Sequence, residues 1–267
     1  MMYLYYLVIE FKKSFVYRAN MIFEILLSYL PLIAYILLWS TIYSNKIYIK
    51  NYTFEYTITY IFIIKVFQIF LTPSFHWEVN EDIKYGKLSN YIIKPINYFK
   101  YIFFKTLGKK LTSMCILTVP TLFVGFFINY YFNINLYLNL STPKSIIFFI
   151  FALMGTYILY FQIYYLISLL SFVFDEVGSL FYTIEIIMEF FLGTIIPLYL
   201  FPAKLLLVIK FTPFSYLLHF LAQFIIEPNS FNIYEALQVQ LIWIILFGFA
   251  ISLLWKLGIK KYSSLGG

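Results

Sequence analysis

The chain has 267 residues, 63% hydrophobic and only 12% charged, with a formal net charge of +7. A soluble domain carries about 25% charged residues, so this composition excludes a water-soluble globule and points to an all-α integral membrane protein. The basic residues sit at the ends of apolar runs, as the positive-inside bias requires, which argues against nucleic-acid binding. One cysteine, Cys115, lies within an apolar run, leaving no intramolecular disulfide and no Cys/His metal cluster.

In chain order, residues 1–20 read as an amphipathic helix in the membrane interface. Tyr3, Leu7, Phe11 and Phe15 recur every four residues, while Glu10, Lys13 and Tyr17 take another face. The other reading makes this stretch the cytoplasmic start of the first span. The first residues lack a basic region and a small-residue cleavage site, unlike a cleaved signal peptide. A first span is expected at about 21–43, kinked by Pro31, with Glu24 near its inner end. A second follows at about 55–75 and contains Lys65. Residues 76–110 form a polar loop with Glu78, Glu81 and Asp82, followed by lysines at 84, 87, 94, 100, 105, 109 and 110. A loop this basic is expected in the cytoplasm.

The third and fourth spans are expected at about 111–129 and 145–172. A tight inner turn at Asp175-Glu176 leads to a fifth at about 180–197, carrying Glu185 and Glu189. Residues 203–226 are apolar but interrupted by Lys204, Lys210, Pro213 and His219. Pro213 leaves pieces too short for the ~30 Å hydrocarbon core, so an outer re-entrant helical hairpin is expected. The last span runs at about 236–255. Six spans place thirteen of the 19 basic residues inside and five outside, with Lys65 in the membrane. A seventh span would put Lys256, Lys260 and Lys261 outside and break that bias. Both termini are therefore expected inside, and residues 1–267 form a single transmembrane domain.

No Gly-x-x-x-x-Gly-Lys-[Ser/Thr] loop occurs; Gly86-Lys87 and Gly108-Lys109 lack the upstream glycine that shapes a phosphate cradle. No catalytic constellation is evident, so the chain is not expected to be an enzyme.

The stretch Gly86-Lys87-Leu88-Ser89-Asn90-Tyr91-Ile92-Ile93-Lys94-Pro95-Ile96-Asn97 resembles a Gly-x-Leu...Leu-x-Lys-Pro-x-Asn signature. With Tyr17-Arg18-Ala19-Asn20, the broken hairpin and the tail Gly258-Ile259-Lys260-Lys261-Tyr262-Ser263-Ser264, nearly the whole chain resembles the membrane subunit of a type-2 ABC transporter, the exporter permease class. The resemblance implies pairing with a second permease, as a homodimer or heterodimer, and with two ATPase subunits that carry ATP and Mg. It implies residence in the plasma membrane. It makes the loop after the second span a coupling helix docking into an ATPase.

For that docking, Trp77, Glu81, Asp82, Tyr85, Gly86, Leu88, Lys94 and Pro95 are the candidates. A helix at about 77–90 is expected to end by Lys94, because Pro95 disfavours helical angles before it. Glu81 and Asp82 are expected to meet basic groups on the partner, Leu88 and Tyr85 to supply apolar anchors, and Trp77 and Tyr85 to anchor the helix at the headgroups.

Glu185 and Glu189 share a helix face at i,i+4. Two readings stay open: a polar pathway for substrate or cation, or pairing with a neighbour such as Lys65. Lys65 itself either pairs with them or attracts an anionic headgroup. His219 reads as a hydrogen-bonded packing residue. The competing function is an ion- or proton-coupled secondary transporter that uses Glu185 and Glu189.

Overall fold

The computed structural model describes residues 2–16, 18–134, 136, 143–174, 177–228 and 232–262. Among them the chain is all-α, with one isolated bridge between Ile49 and Tyr52 and no strand. The helices are α1 Met2–Val16, α2 Arg18–Ser28, α3 Leu30–Tyr43, α4 Phe54–Leu71, α5 His76–Lys84, α6 Ser89–Ile92, α7 Tyr98–Phe132, α8 Pro143–Leu169, α9 Gly178–Leu192, α10 Ala203–Lys210, α11 Leu218–Ile226 and α12 Ile233–Lys261. Tyr17, Asp175, Glu176, Ser263 and Ser264 lie outside the described residues, as do the side chains of Arg18, Asn20 and Glu24.

Helix α4 is the axis of the bundle. Every side chain from Tyr56 to Lys65 is buried, and α3, α7, α8 and α11 pack around it. A helix apolar on all sides is stable only when enclosed. Thr53 starts it by accepting the Tyr56 N–H at 3.2 Å, which satisfies one orphan donor of the first turn. At the other end the chain leaves the helix over residues 72–75 before α5 begins.

The outer helices turn apolar side chains outward. On α7, Val119, Leu122, Phe123 and Phe126 are exposed; on α12, Leu241, Ile242, Ile245 and Phe249 are. Water would penalise such faces, whereas lipid matches them. Polar groups tie the helices together inside. Gln240 on α12 donates to Thr156 Oγ1 on α8 at 3.0 Å and to the Tyr216 carbonyl at 2.8 Å. Tyr29 and Thr121 join the first span to α7 at 2.6 Å.

Among the described residues, five helical stretches are long and apolar enough to cross a bilayer: Leu26–Tyr43, Phe54–Lys84, Tyr98–Phe132, Ser145–Phe172 and Ile233–Lys261. The break at 72–75 separates the second into buried α4 and the polar α5. The stretch expected as another span, 180–197, is α9, only 15 residues long. That is about 22 Å at the usual helical rise, short of a ~30 Å core. Its end is set by Gly193, whose φ of 76° is left-handed.

One local expectation changes. Pro31 does not kink one long helix but begins a new one, since the chain breaks at Tyr29 and Pro31 falls in the first turn of α3. Its missing N–H is harmless there, where no intrahelical bond is required. The amphipathic N-terminal stretch runs parallel to the basic end of α7. Tyr3 Oη accepts the Asn97 N–H at 2.8 Å, and Thr112 Oγ1 donates to the Phe11 carbonyl at 3.2 Å. Gly108 permits the approach, because a Cβ there would collide with the Leu7 carbonyl.

The 203–226 stretch is two short helices, α10 and α11, with a 3-10 turn, Phe214–Tyr216, directly after Pro213. Helix α11 is buried against α4. His219 is held there by the Tyr60 hydroxyl, 2.8 Å from Nδ1.

Candidate transport pathway and coupling surface

Ionisable groups of α4, α5 and α9 lie close together inside the bundle. Lys65 on α4 donates to Gln68 Oε1 at 2.9 Å, and Gln68 Nε2 donates to Glu189 Oε1 on α9 at 3.1 Å. The Lys65 ammonium also lies 5.2 Å from the Tyr35 ring centre. Lys65 and Glu189 are therefore linked through a neutral amide rather than by a direct ion pair. One turn earlier on α9, Glu185 Oε1 lies 3.6 Å from His76 Nε2. That spacing is too long for a hydrogen bond, and His76 is only 3% exposed.

Both carboxylates open onto one cavity of about 150 Å³, shared with Gln68, Thr72, Tyr160 and Tyr164. Chemically it offers acceptors on one wall and hydroxyl and amide donors on the other, suited to a cation or a polar group. Gln68 and His76 were missed by sequence reasoning. Gln68 had a readable signal, standing three residues after Lys65 on the same helix face; His76 had none, because its partner is over a hundred residues away.

The loop after α4 is built as a wedge. Helix α5 buries His76, Val79, Asp82 and Ile83 and packs on α8. It stops at Lys84 rather than continuing to residue 90, because Gly86 takes a φ of 73°. Only glycine adopts that conformation without strain. The Leu88 N–H then donates to the Asp82 carbonyl at 2.7 Å, and the short α6 follows before Lys94-Pro95.

The eight candidate docking residues separate by exposure. Asp82 is 6% exposed and accepts from the Tyr98 hydroxyl at 2.7 Å, and Leu88 is fully buried. Both face inward and shape the loop. Burial raises the Asp82 carboxyl above its ordinary range, with the Tyr98 hydrogen bond opposing it. Trp77 is half-buried between α5 and α9, its ring centre 5.1 Å from that of Phe181. Gly86 is partly buried at the turn. Glu81, Tyr85, Lys94 and Pro95 are exposed, with Glu81 3.4 Å from Lys87.

Ile92 and Ile93, exposed at the tip of α6, were not singled out from sequence. Elsewhere the loop is tied down by Lys105 pairing with Glu78 across to α7.

Comparison with curated proteins and with solved structures returned no match. A family model described as ABC-2 family transporter protein matches residues 29–266, from the break before α3 to beyond the end of α12. The match takes in the buried α4, the wedge of α5 and α6, and the split pair α10 and α11, so this multi-pass membrane protein belongs to the ABC-2 transporter family.

Proposed function

We propose that the chain is the permease subunit of an ATP-driven exporter, forming the substrate path and drawing its energy from separate ATPase subunits. The observation that carries this reading is the exposed tip of the wedge, in a chain that matches the family over residues 29–266. Tyr85, Ile92, Ile93 and Pro95 are exposed apolar residues of this short stretch, interspersed with the exposed charges of Glu81, Lys84, Lys87 and Lys94. An apolar centre with a charged rim is the anatomy of a protein docking surface.

The partner supplies ATP and Mg, and this chain responds to contact alone. A push on the wedge reaches α9 by a short route. Trp77 abuts Phe181 and Tyr182, with ring centres 5.1 and 5.4 Å apart, and His76 faces Glu185. Displacement of α9 would pull Glu189 from Gln68 and reshape the cavity between them. Two permeases, alike or sister chains, then enclose the path. Both termini and the wedge lie in the cytoplasm of a plasma membrane, with α10 and α11 at the outer side and α9, followed by the non-helical stretch 193–197, as the remaining span.

The second reading, an ion- or proton-coupled transporter, is favoured by one observation: Glu185 and Glu189 share a cavity inside the bundle. Transport that survives ATP depletion but collapses with the ion gradient selects it. The permease reading is tested with Tyr85→Ala/Ile93→Asp. Co-purification of the ATPase should fall about tenfold, equivalent to ~1.4 kcal/mol, while membrane insertion is unchanged. Undiminished co-purification overturns docking through this surface.

A further inference from the structure

A larger cavity also meets Gln68, where α1, α2, α3, α4 and α7 converge. It encloses about 580 Å³. Three lysines line it: Lys65 from α4, and Lys109 and Lys110 from α7. Ser14 of α1 and Ser113 of α7 add hydroxyls, and none of the lining residues is acidic. Lys65 donates to the Gln68 carbonyl oxygen and Lys110 to the Ile69 carbonyl at 3.2 Å, so both ammonium groups rest on neutral acceptors. Among the described residues, no carboxylate forms an ion pair with any of the three.

Concentrated positive charge beside an apolar bundle is costly unless an anion completes it. The site sits toward the end of α4, within two turns of the polar wedge. Pro31, Ile69 and Leu117 form its apolar side. The helices flanking it carry exposed Leu27, Leu30 and Val119, along which an acyl chain can lie. Basic pockets between membrane helices bind phosphate-bearing headgroups by this chemistry.

We propose that this cavity binds a phosphate group, as the phosphodiester of an anionic lipid or as a free phosphate. Lys109 and Lys110 carry the charge, and the hydroxyls of Ser14 and Ser113 complete the cradle.

The test uses delipidated, purified chain in detergent and three probes: phosphatidylglycerol, diacylglycerol with the same tails, and inorganic phosphate. Phosphatidylglycerol should bind at least about tenfold more tightly than diacylglycerol. Lys109→Gln/Lys110→Gln should remove at least about tenfold of that affinity, the scale of one charge-assisted hydrogen bond. Lys256→Gln/Lys260→Gln should leave it unchanged. If inorganic phosphate binds and shows the same dependence on the lysines, a free phosphate is an occupant; if only the lipid does, the headgroup is.

Equal binding of the two lipids, or equal loss in both lysine pairs, overturns the proposal. Should Lys109→Gln/Lys110→Gln not fold, Ser113→Leu, which narrows the cavity without removing charge, must show the loss instead; wild-type affinity there overturns it too. The assay needs no ATPase, so its failure and a failure of the docking surface are separate results.

Discussion

Gln68 donates its amide to Glu189 at 3.1 Å, joining α4 to the carboxylate of α9. The carbonyl of the same side chain accepts Lys65 at 2.9 Å. One neutral side chain thus holds α4 and α9 in register and keeps two opposite charges from meeting.

Lys65 and Glu189 should therefore be coupled only while Gln68 is present. In a double-mutant cycle of Lys65→Met and Glu189→Gln, read by thermal unfolding in detergent, the interaction should be about 0.5–3 kcal/mol. Repeating the cycle in a Gln68→Leu background should bring it close to zero. Strict additivity in the native background would show that the chain of hydrogen bonds carries no energy.

The Tyr98–Asp82 contact gives a stability prediction. Tyr98→Phe removes the 2.7 Å hydrogen bond to a buried carboxylate. The expected loss is about 1.5–3 kcal/mol, the range for bonds to charged groups, measured by chemical denaturation. Glu81→Gln, at an exposed carboxylate paired with Lys87, should cost well under ~1 kcal/mol. Equal losses would contradict the burial difference.

Two glycines should differ in their tolerance of alanine. Gly86 has a φ of 73°, so Gly86→Ala should cost about 1–2 kcal/mol of backbone strain. Gly193 has a φ of 76°, and a Cβ there would also lie 2.7 Å from Tyr60 Oη and 2.8 Å from Leu198 Cγ. Gly193→Ala should be the more damaging of the two by melting temperature. The reverse order would be evidence against the tight seat beneath Tyr60.

Helix α1 should be releasable by one substitution. Gly108→Leu places a side chain where the Leu7 backbone lies. Limited proteolysis should then cut within residues 2–16 much faster than in the native chain, with the remaining bundle intact. An unchanged cleavage pattern would mean that α1 is held elsewhere than on α7.

The orientation can be read by labelling. In a Cys115→Ser background, cysteines at Ser44 and Ser141 should react with an impermeant thiol reagent from outside, and one at Ser264 should not. External labelling at 264 would reverse the placement of the C-terminus.

Much of the architecture was legible without coordinates because burial in lipid imposes a one-dimensional signature. Long apolar runs, flanking lysines and the scarcity of charge announce spans wherever the chain folds. Pro213 likewise fixed the split between α10 and α11, since proline stops a helix locally. The break at Tyr29 and the stop at Lys84 were less legible: Pro31 suits a kink and a first turn equally well, and glycine permits a left-handed turn without demanding one.

By itself, the sequence determined the all-α membrane class, the polar loop and the paired glutamates on one helix face, all properties of residues close together in the chain. Only tertiary structure decided that Asp82 turns inward to Tyr98, that Gln68 stands between Lys65 and Glu189, and that Lys65, Lys109 and Lys110 line one cavity. These depend on which faces of distant helices meet. Helical periodicity shows which residues share a face, but the direction of that face is chosen by packing against the other helices.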